Sequence, residues 1–415
     1  MSYRSQGNMN LLYVLHKDPY IFLGGVERHV TDLIRAFSLK GQRIFIMFPS
    51  SSHLVVSSVC NGSIEEMRLK GHFCDDMTLH NSVVEKSFGE ILQRFSIDIV
   101  HFQHLSGYPL SLIEEARRAG ARVIISTHDY FFWCPSYKLL SPLCGNRLSF
   151  CYFEKDSARC AKCLALLGVK NVDEEKVRKR REYVYELFGM ADAIVMPSLY
   201  VQDVFCALYP SATHKALMIE HGVKTNGVMV PNDKTSDPLK VAYLGAFTFE
   251  KGADMFLDLM RDIKDADLFP KVSFSIIGEL GYSIPDDLLQ SNGLKVTGAY
   301  RPDELNTILN REGIDIVLLL SRWPETYSYT LSEAIASGIP VIASDLGALR
   351  ERIARYTVGY LVPAENPVPR TLSVIDDFLA CPELFSFFRQ RCAAAARQLP
   401  GVDEMVKNYF EIYQL

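Results

Sequence analysis

The feature that most constrains the fold of this chain is the alternation of short apolar runs with amphipathic helical patterns. In the first half, the runs predicted as buried strands are residues 11–16, 43–48, 97–103, 122–127, 193–196 and 216–219. Helical patterns separate most of them; in the first, Val30, Leu33 and Phe37 share one face. Strand–helix alternation of this kind predicts an α/β fold with a parallel sheet covered by helices on both faces.

A polar, turn-rich stretch, TNGVMVPNDKTSDP at 225–238, interrupts this alternation and is predicted to be a linker. After it, apolar runs recur at 240–245, 272–278, 294–298, 314–320, 340–344 and 359–362. We therefore predict two α/β domains, 1–224 and 239–400. The remaining residues, 401–415, are predicted to form a helix that crosses back to the first domain.

Composition and charge exclude several classes of protein. The chain has 44 Lys plus Arg against 49 Asp plus Glu, a formal charge of −5, so we expect no nucleic-acid partner. The longest purely apolar runs are far shorter than the roughly 20 residues that span a bilayer. The first ten residues, MSYRSQGNMN, lack the apolar segment of a signal peptide, and we therefore expect a cytoplasmic location.

Gly24 and Gly25 follow the first predicted strand and open the first helix. Paired glycines allow the backbone to approach a ligand closely, and amides at a helix N-terminus favour an anion such as phosphate. A helix-entry turn with no ligand is an equally good interpretation. The patterns GxGxxG and GxxxxGK[ST] are absent, which argues against an NAD-type site and against a P-loop ATPase.

Two glutamates mark the most informative segment, Glu325 in a loop after a predicted strand and Glu333 in the next helix. The helix is predicted to start near Ser328, which leaves amides of Thr326, Tyr327 and Ser328 available to an anion. Carboxylates on both sides of such an anion can accept hydrogen bonds from sugar hydroxyls. Taken alone, the pair can equally be a capping residue and a solvated helix glutamate.

The neighbours of these glutamates make the pattern specific. Glu-x7-Glu followed by Ala-x3-Gly-x-Pro-Val-x-Ala-Ser-Asp resembles the nucleotide-sugar site of glycosyltransferase family 4, retaining enzymes of GT-B architecture. Further matches are GGVE at 24–27, HD at 128–129, LGAFTFEKG at 244–252, IIG at 276–278 and TGAY at 297–300. The form WPETYSYTLSEA is similar to a subgroup common in bacterial polysaccharide assembly.

This resemblance covers nearly the whole chain and implies both an architecture and an activity. It implies two Rossmann-like parallel-sheet domains facing an interdomain cleft, with the acceptor on 1–224 and the nucleotide sugar on 239–400. The implied reaction is retaining transfer of a hexosyl-type sugar from a nucleotide-sugar donor to a glycan or lipid-linked acceptor. The family does not generally need a bound metal, so no catalytic cofactor is expected.

The resemblance also implies a role for each matching position. Glu325 would hold the donor sugar, Glu333 would bind the nucleotide ribose and Lys251 would neutralise the leaving diphosphate. His128 would lie at the mouth of the cleft near the reacting carbon. Donor contacts are implied for Gly24, Gly25, Gly245, Thr326, Tyr327 and Ser328.

One position departs from the family pattern. The family usually has an arginine where this chain has Ala246, so half of the expected cationic clamp is missing. Arg322 and Arg28 are candidates to replace it. The departure leaves two alternatives open, a non-catalytic subunit that binds nucleotide sugars and a GT-B-like sugar-nucleotide epimerase.

Cysteines crowd into a predicted insertion at 130–165 in the first domain. Cys144, Cys151, Cys160 and Cys163 have the spacing C-x6-C-x8-C-x2-C. This spacing predicts a structural zinc site, and the alternative is a set of small buried residues in an irregular loop.

A basic run, KVRKRR at 176–181, lies on a predicted helix. It suggests peripheral contact with anionic lipid on the inner face of the membrane. The alternative is a solvated helix face that is balanced by acidic neighbours.

Overall fold

The computed structural model describes residues 9–22, 24–60, 63–145, 147–224, 236–266, 271–290 and 293–414. They divide into two compact units. Unit 1 comprises the residues up to Leu143, Cys151–Gly222 and those from Val402 onward, and unit 2 comprises Cys144–Phe150 and Val223–Gly401. The predicted linker lies outside the described residues except for positions 236–238.

Unit 1 is built on a sheet of eight strands within the described residues. Its strands are β1 (Asn10–Val14), β2 (Arg43–Pro49), β3 (His53–Cys60), β4 (Ser63–Lys70), β5 (Ile99–Phe102) and β6 (Arg122–Ser126). After two short strands, β7 (Leu140–Ser141) and β8 (Ser149–Phe150), come the last two strands of the sheet, β9 (Ala193–Met196) and β10 (Ala216–Met218). The order across the sheet is β10-β9-β6-β5-β1-β2-β3-β4.

One edge of the sheet of unit 1 departs from the predicted parallel arrangement. β3 pairs antiparallel with both β2 and β4, while the other neighbours in this sheet are parallel. No helical pattern separates β2, β3 and β4 in the sequence, and antiparallel neighbours need only a short connection. The outermost strand carries exposed Glu65, Glu66, Arg68 and Lys70, charges that discourage pairing with another chain at a sheet edge.

Helices of unit 1 follow its strands along the chain. They are α1 (Gly25–Leu39), α2 (Ser82–Arg94), α3 (Leu112–Arg118), α4 (Ser157–Leu166), α5 (Glu174–Met190) and α6 (Leu199–Leu208). In α1, the predicted face of Val30, Leu33 and Phe37 is completely buried. A helical stripe that packs on a sheet in this way contributes most of the stability of such a helix.

Unit 2 has a parallel sheet of six strands within the described residues, in the order β13-β12-β11-β14-β15-β16. The strands are β11 (Leu239–Leu244), β12 (Val272–Ile277), β13 (Leu294–Gly298), β14 (Ile316–Leu319), β15 (Val341–Ser344) and β16 (Gly359–Val362). Side chains of β11 alternate between two hydrophobic clusters on opposite faces of the sheet. Val241 and Tyr243 belong to one cluster, and Ala242 and Leu244 belong to the other. Both faces of this sheet are therefore buried, as its continuous apolar runs predict.

The helices of unit 2 are α7 (Ala253–Asp265), α8 (Asp286–Leu289), α9 (Leu305–Glu312), α10 (Tyr329–Ala336), α11 (Gly347–Tyr356), α12 (Val368–Ala380) and α13 (Glu383–Ala396). One segment of the predicted insertion belongs with this unit rather than with unit 1. Residues Cys144–Phe150 group with unit 2. Arg147 Nη1 lies 2.8 Å from the carboxylate of Asp254 in α7, a tertiary contact that sequence order does not reveal.

The last helix, α14 (Val402–Gln414), groups with unit 1. Its buried residues recur at helical spacing and pack in the same core as β1 and α1: Met405, Val406, Tyr409, Ile412 and Tyr413. Tyr413 places its hydroxyl 3.1 Å from that of Tyr13 in β1.

Candidate functional site

The candidate site of unit 2 lies where the strand order of its sheet reverses, between β11 and β14. The sheet continues through β12 on one side of this point and through β15 on the other. In an open parallel sheet the carboxyl ends of the strands form a ligand crevice at such a reversal. The loops at 245–252 and 320–328 follow these two strands and carry most of the predicted donor residues.

Glu325 and Lys251 are brought together by these two loops. Lys251 Nζ lies 2.8 Å from Glu325 Oε2, and Ser321 Oγ donates a hydrogen bond to the other carboxylate oxygen. The Glu325 carboxylate is buried, whereas 34% of the Lys251 side chain is exposed. The two contacts fix the direction of the carboxylate and leave one side of the ammonium accessible to an anionic ligand.

Glycines allow the loops to approach one another this closely. Gly252 follows Lys251 with a φ of +84°, and a Cβ there would lie 2.0 Å from the carbonyl oxygen of Leu320. Gly278 has a φ of +152°, and a Cβ there would lie 1.8 Å from the carbonyl oxygen of Gly245. Side chains at these two positions would collide with backbone, so the loop after β11 can keep its course only with glycine there.

Ser328 adopts an unusual conformation at the start of α10. Its φ of 71° and ψ of 91° lie outside the regions that most residues occupy. Its hydroxyl caps the helix by accepting a hydrogen bond from the Leu331 amide at 3.4 Å. Strained backbone of this kind persists only where surrounding contacts hold it, and it concentrates at functional sites.

Arg352 supplies those contacts from α11. Its guanidinium donates to the carbonyl oxygens of Tyr327 and Ser328 at 2.9 and 3.0 Å and to Ser332 Oγ at 2.7 Å. It also stacks on the Tyr327 ring, 4.1 Å from the centroid. The sequence analysis missed this residue, although an arginine on the buried stripe of α11 beside Ile353 was the available signal.

Glu333 lies on α10, as predicted, and is buried. Tyr300, from the loop after β13, donates its hydroxyl to Glu333 Oε2 at 3.5 Å. The TGAY and Glu-x7-Glu motifs, which are separate in the sequence, therefore meet at this carboxylate.

The structure also shows what surrounds the position of the missing arginine. The carbonyl oxygen of Ala246 accepts a hydrogen bond from the Tyr243 hydroxyl at 2.9 Å. Arg322, one candidate replacement, is buried, pairs with the Asp254 carboxylate and stacks 4.6 Å from the Phe249 ring centroid. Its charge is thus already paired with an acid, which Arg147 also contacts. Arg28, the other candidate, belongs to α1 in unit 1.

In unit 1, the paired glycines form a capped helix entry. Gly24 is the N-cap of α1 and Gly25 is its first residue. The side chain of Glu27 folds back over Gly24, where a Cβ would lie 2.3 Å from Glu27 Oε2. A glutamate at the third helical position that reaches back to the N-cap is one half of a capping box, and Gly24 has no side chain to supply the other half. This geometry accounts for Gly24 without a ligand, and the donor role of both glycines stays a prediction.

His128 follows β6 and is nearly enclosed. Its Nε2 lies 2.6 Å from Gln103 Oε1, and the rings of His29 and His221 lie 5.0 and 5.3 Å away. Burial, and then the neighbouring His29, holds the pKa of His128 well below its usual value. Because an amide oxygen can only accept, His128 carries its proton on Nε2 in this arrangement. Its implied role near the reacting carbon stays a prediction.

A buried polar network joins Gln103 to the last helix. The Gln103 amide nitrogen lies against the ring of His101, 3.0 and 3.1 Å from its two nitrogens. Those nitrogens contact the hydroxyls of Tyr413 and Ser126 at 2.7 and 2.8 Å. Burial keeps the pKa of His101 well below its usual value. This network was not predicted, because its members lie up to 312 positions apart in the sequence.

A second cluster follows β1 and β5. His104 Nε2 lies 2.9 Å from the Asp129 carboxylate, and its ring lies 4.4 Å from that of His16. Burial alone would lower the pKa of His104, but Asp129, together with Asp76 and Glu27, outweighs burial and raises the value. Burial and the neighbouring His104 lower the pKa of His16 to about 3.

The predicted zinc site stays a prediction. Its four cysteines were Cys144, Cys151, Cys160 and Cys163. Within the described ranges, no three or more His, Cys, Asp or Glu side chains form a group that could hold a metal ion. Burial raises the pKa of the Cys151 thiol to about 11. Cys160 Sγ instead accepts a hydrogen bond from Arg181 Nη2 at 3.2 Å.

The basic run on α5 is largely occupied by contacts within unit 1. Arg180 is buried and donates to three backbone oxygens, and Arg181 lies 4.3 Å from the Trp133 ring centroid. Arg178 is exposed but pairs with Glu175 and Glu182 on the same helix. These contacts favour the solvated, internally balanced helix over a lipid-binding face. In the part of the chain that the structure describes, no helix has the length and apolar character to cross a membrane.

Two family models match consecutive parts of the chain. The model described as Glycosyltransferase Family 4 matches residues 23–226, and the model described as Glycosyl transferases group 1 matches residues 228–399. The first therefore covers most of the residues before the predicted linker, and the second covers most of unit 2, including Lys251 and Glu325.

Comparisons with individual proteins agree with the family models. A 42.6 kDa protein of the cps region of Klebsiella pneumoniae is 24% identical over 279 residues, 66% of this chain and 64% of that protein. The match thus spans just under two thirds of that relative's length. Phosphatidyl-myo-inositol mannosyltransferase of Mycobacterium tuberculosis is 22% identical over 400 residues, 91% of this chain and 89% of that protein. The crystal structure of Anabaena Alr3699/HepE with UDP-glucose aligns with a TM-score of 0.64 and 13% identity, covering 98% of this chain and 100% of that chain.

Proposed function

Because the chain belongs to glycosyltransferase family 4, we propose that it transfers a hexosyl-type sugar from a nucleotide-sugar donor to a glycan or lipid-linked acceptor, with retention of anomeric configuration. We further propose that the product is part of a surface polysaccharide. The observation that carries the proposal is the contact between Lys251 and the buried Glu325 at the strand-order reversal of unit 2. A relative named a mannosyltransferase supports this class of reaction, and a relative from a cps region supports the assembly of a polysaccharide.

The proposed donor site manages the charges that develop during transfer. As the bond from the anomeric carbon to the diphosphate oxygen breaks, negative charge grows on the diphosphate and positive charge on the sugar ring. The exposed side of Lys251 and the amides at the start of α10 stabilise the first. Glu325, held by Ser321, accepts hydrogen bonds from sugar hydroxyls and fixes the sugar relative to the leaving group.

Retention requires the acceptor oxygen to bond to the anomeric carbon on the face from which the diphosphate leaves. In the proposed step, the proton of the acceptor hydroxyl passes to an oxygen of the departing phosphate. In this proposal the negative charge on the diphosphate is neutralised by Lys251 and by the amides at the start of α10. We accordingly expect transfer to survive chelation by EDTA, and NMR of the product to show the donor's anomeric configuration.

A thermal-shift screen against UDP-, GDP-, ADP- and dTDP-sugars tests donor binding. A ligand at 100 times its Kd stabilises the native state by about 2.7 kcal/mol, which corresponds to roughly 5–10 °C for a domain of this size. Lys251→Met should abolish most of this shift. Lys264→Met is the matched control, because Lys264 lies on α7, is exposed and pairs with Asp287. An equal ligand-induced rise in melting temperature in the Lys251 and Lys264 variants would contradict the proposed donor site.

Product analysis separates transfer from the two alternatives. Release of nucleoside diphosphate that depends on an added acceptor supports a transferase. Epimerisation would change the donor sugar without an acceptor, and a non-catalytic subunit would bind a nucleotide sugar without turnover in any pairing. Ala246 is the observation that favours the non-catalytic alternative, since an arginine usual in the family is absent there.

A further inference from the structure

Arg352 is a completely buried cation whose hydrogen bonds all end on neutral groups. Its three bonds reach the carbonyl oxygens of Tyr327 and Ser328 and the hydroxyl of Ser332. Among the residues that the structure describes, no carboxylate forms an ion pair with it. A buried charge of this kind is costly unless something compensates it.

The other buried arginines at the core of unit 2 are compensated. Arg322 pairs with Asp254, and Arg389 Nη2 lies 2.9 Å from Asp315 Oδ1. Since the same unit supplies an acid to each of these, the lack of one at Arg352 is specific to the turn that precedes α10. An anion bound at that turn would complete the charge balance.

The geometry of a trans peptide bond indicates on which side the anion lies. The carbonyl oxygen of one residue and the N–H of the next point in opposite directions. Arg352 holds the carbonyls of Tyr327 and Ser328, so the N–H groups of Ser328 and Tyr329 point away from it. Tyr329 is the first residue of α10, so its N–H lies at the helix N-terminus, where the helix dipole favours an anion.

We infer that Arg352 is a positioning residue for the diphosphate of the donor, an inference that rests on the proposed function. Its hydrogen bonds hold Ser328 in its strained conformation and direct two consecutive amides at the diphosphate. Its charge, behind those peptides, polarises them and adds to the positive potential that Lys251 supplies in front. This arrangement provides a second cation for the leaving group although position 246 is alanine.

The test measures affinity for UDP, GDP, ADP and dTDP and for the matching nucleosides, by calorimetry on the full chain. Arg352→Gln removes the charge and keeps an amide donor, whereas Arg352→Lys keeps the charge. Arg350→Met is the matched control, because Arg350 lies on the same helix, is exposed and pairs with Asp345. We expect Arg352→Gln to weaken binding of the diphosphate about tenfold or more with nucleoside binding unchanged, and Arg352→Lys to restore most of the loss.

The outcomes separate this inference from the proposed function. If the wild-type chain binds none of the four diphosphates, the proposed donor site itself fails. If it binds one, and Arg352→Gln lowers the affinities for diphosphate and nucleoside equally or lowers neither, the inference fails and the donor site stands. Arg352→Lys that loses as much diphosphate affinity as Arg352→Gln would show that the charge is not what matters. Melting temperatures of all variants identify any that do not fold. If Arg352→Gln is one of these, the ratio of diphosphate to nucleoside affinity in Arg352→Lys decides whether the inference stands.

Discussion

The contact between Glu325 and Lys251 makes Glu325→Gln the sharpest test of the donor site. The substitution keeps the size of the side chain and an oxygen that can still accept from Ser321 Oγ. It removes the negative charge that faces Lys251 at 2.8 Å. Activity and stability should respond very differently to this change.

The expected effect on stability is small because two large contributions oppose each other. At an effective dielectric constant of 20, two charges 2.8 Å apart attract by roughly 6 kcal/mol. Burying the carboxylate costs several kcal/mol, and Lys251 can hydrate its exposed side when its partner is lost. We therefore expect a loss of about 1 kcal/mol, or a melting temperature lower by about 2–4 °C.

The expected effect on activity is large. A neutral amide binds sugar hydroxyls more weakly than a carboxylate, and Lys251 is no longer held in place. Loss of one positioned polar group at such a centre typically lowers kcat by about 100- to 1,000-fold. The assay is release of nucleoside diphosphate with the donor that the thermal-shift screen identifies, together with thermal unfolding of both proteins.

Glu312→Gln provides the matched control. Glu312 is also a buried glutamate of unit 2 and pairs with Lys295 and Arg311, but it lies at the end of α9. It should lose a comparable amount of stability and keep its kcat. Glu325→Gln with a kcat within about threefold of wild type would refute the site, as would an equal loss of activity in the Glu312 variant.

The remaining predictions concern the framework of each unit. In urea unfolding, Gly278→Ala should destabilise the protein by roughly 3 kcal/mol or more, because a Cβ there would lie 1.8 Å from a backbone oxygen. Gly298→Ala should cost about 1 kcal/mol, because a Cβ there would have nothing within 4 Å. Arg180→Leu should cost about 3–5 kcal/mol since three buried carbonyl oxygens lose their donor, while Arg178→Leu should leave the unfolding midpoint unchanged. Burial lowers the pKa of His29 to about 3. Below about pH 6.5 the unfolded chain therefore takes up a proton that the native state does not, so the free energy of unfolding should fall from pH 7 to pH 5. His29→Phe should make that fall shallower.

Each of these predictions has an outcome that contradicts it. Equal unfolding midpoints for the two glycine variants would mean that the loop shifts to accept a side chain. Arg180→Leu as stable as Arg178→Leu would mean that water replaces the buried donor. A fall in stability from pH 7 to pH 5 that is as steep in His29→Phe as in the wild type would contradict the lowered pKa of His29.

Much of the architecture follows from local sequence pattern. The bounds predicted for the strands at 193–196, 294–298 and 359–362 are those observed. The hairpin of β3 and β4 was missed because its residues carry no helical pattern, and the strand prediction relied on alternation with helices. For the site, the motifs identified both Lys251 and Glu325, and the sheet topology explains why they meet.

What the sequence by itself determined is the class of the fold, two α/β units with parallel strands, and which residues are proposed to hold a nucleotide sugar. Hydrophobic periodicity and short motifs carry that information because they depend on neighbours within a few turns of chain. Only the tertiary structure decided which charges are compensated. It gave Arg322 an acid and Arg352 two backbone carbonyls, and it set the hydroxyl of Tyr413 beside that of Tyr13. Such contacts join segments far apart in the chain, so no local pattern specifies them.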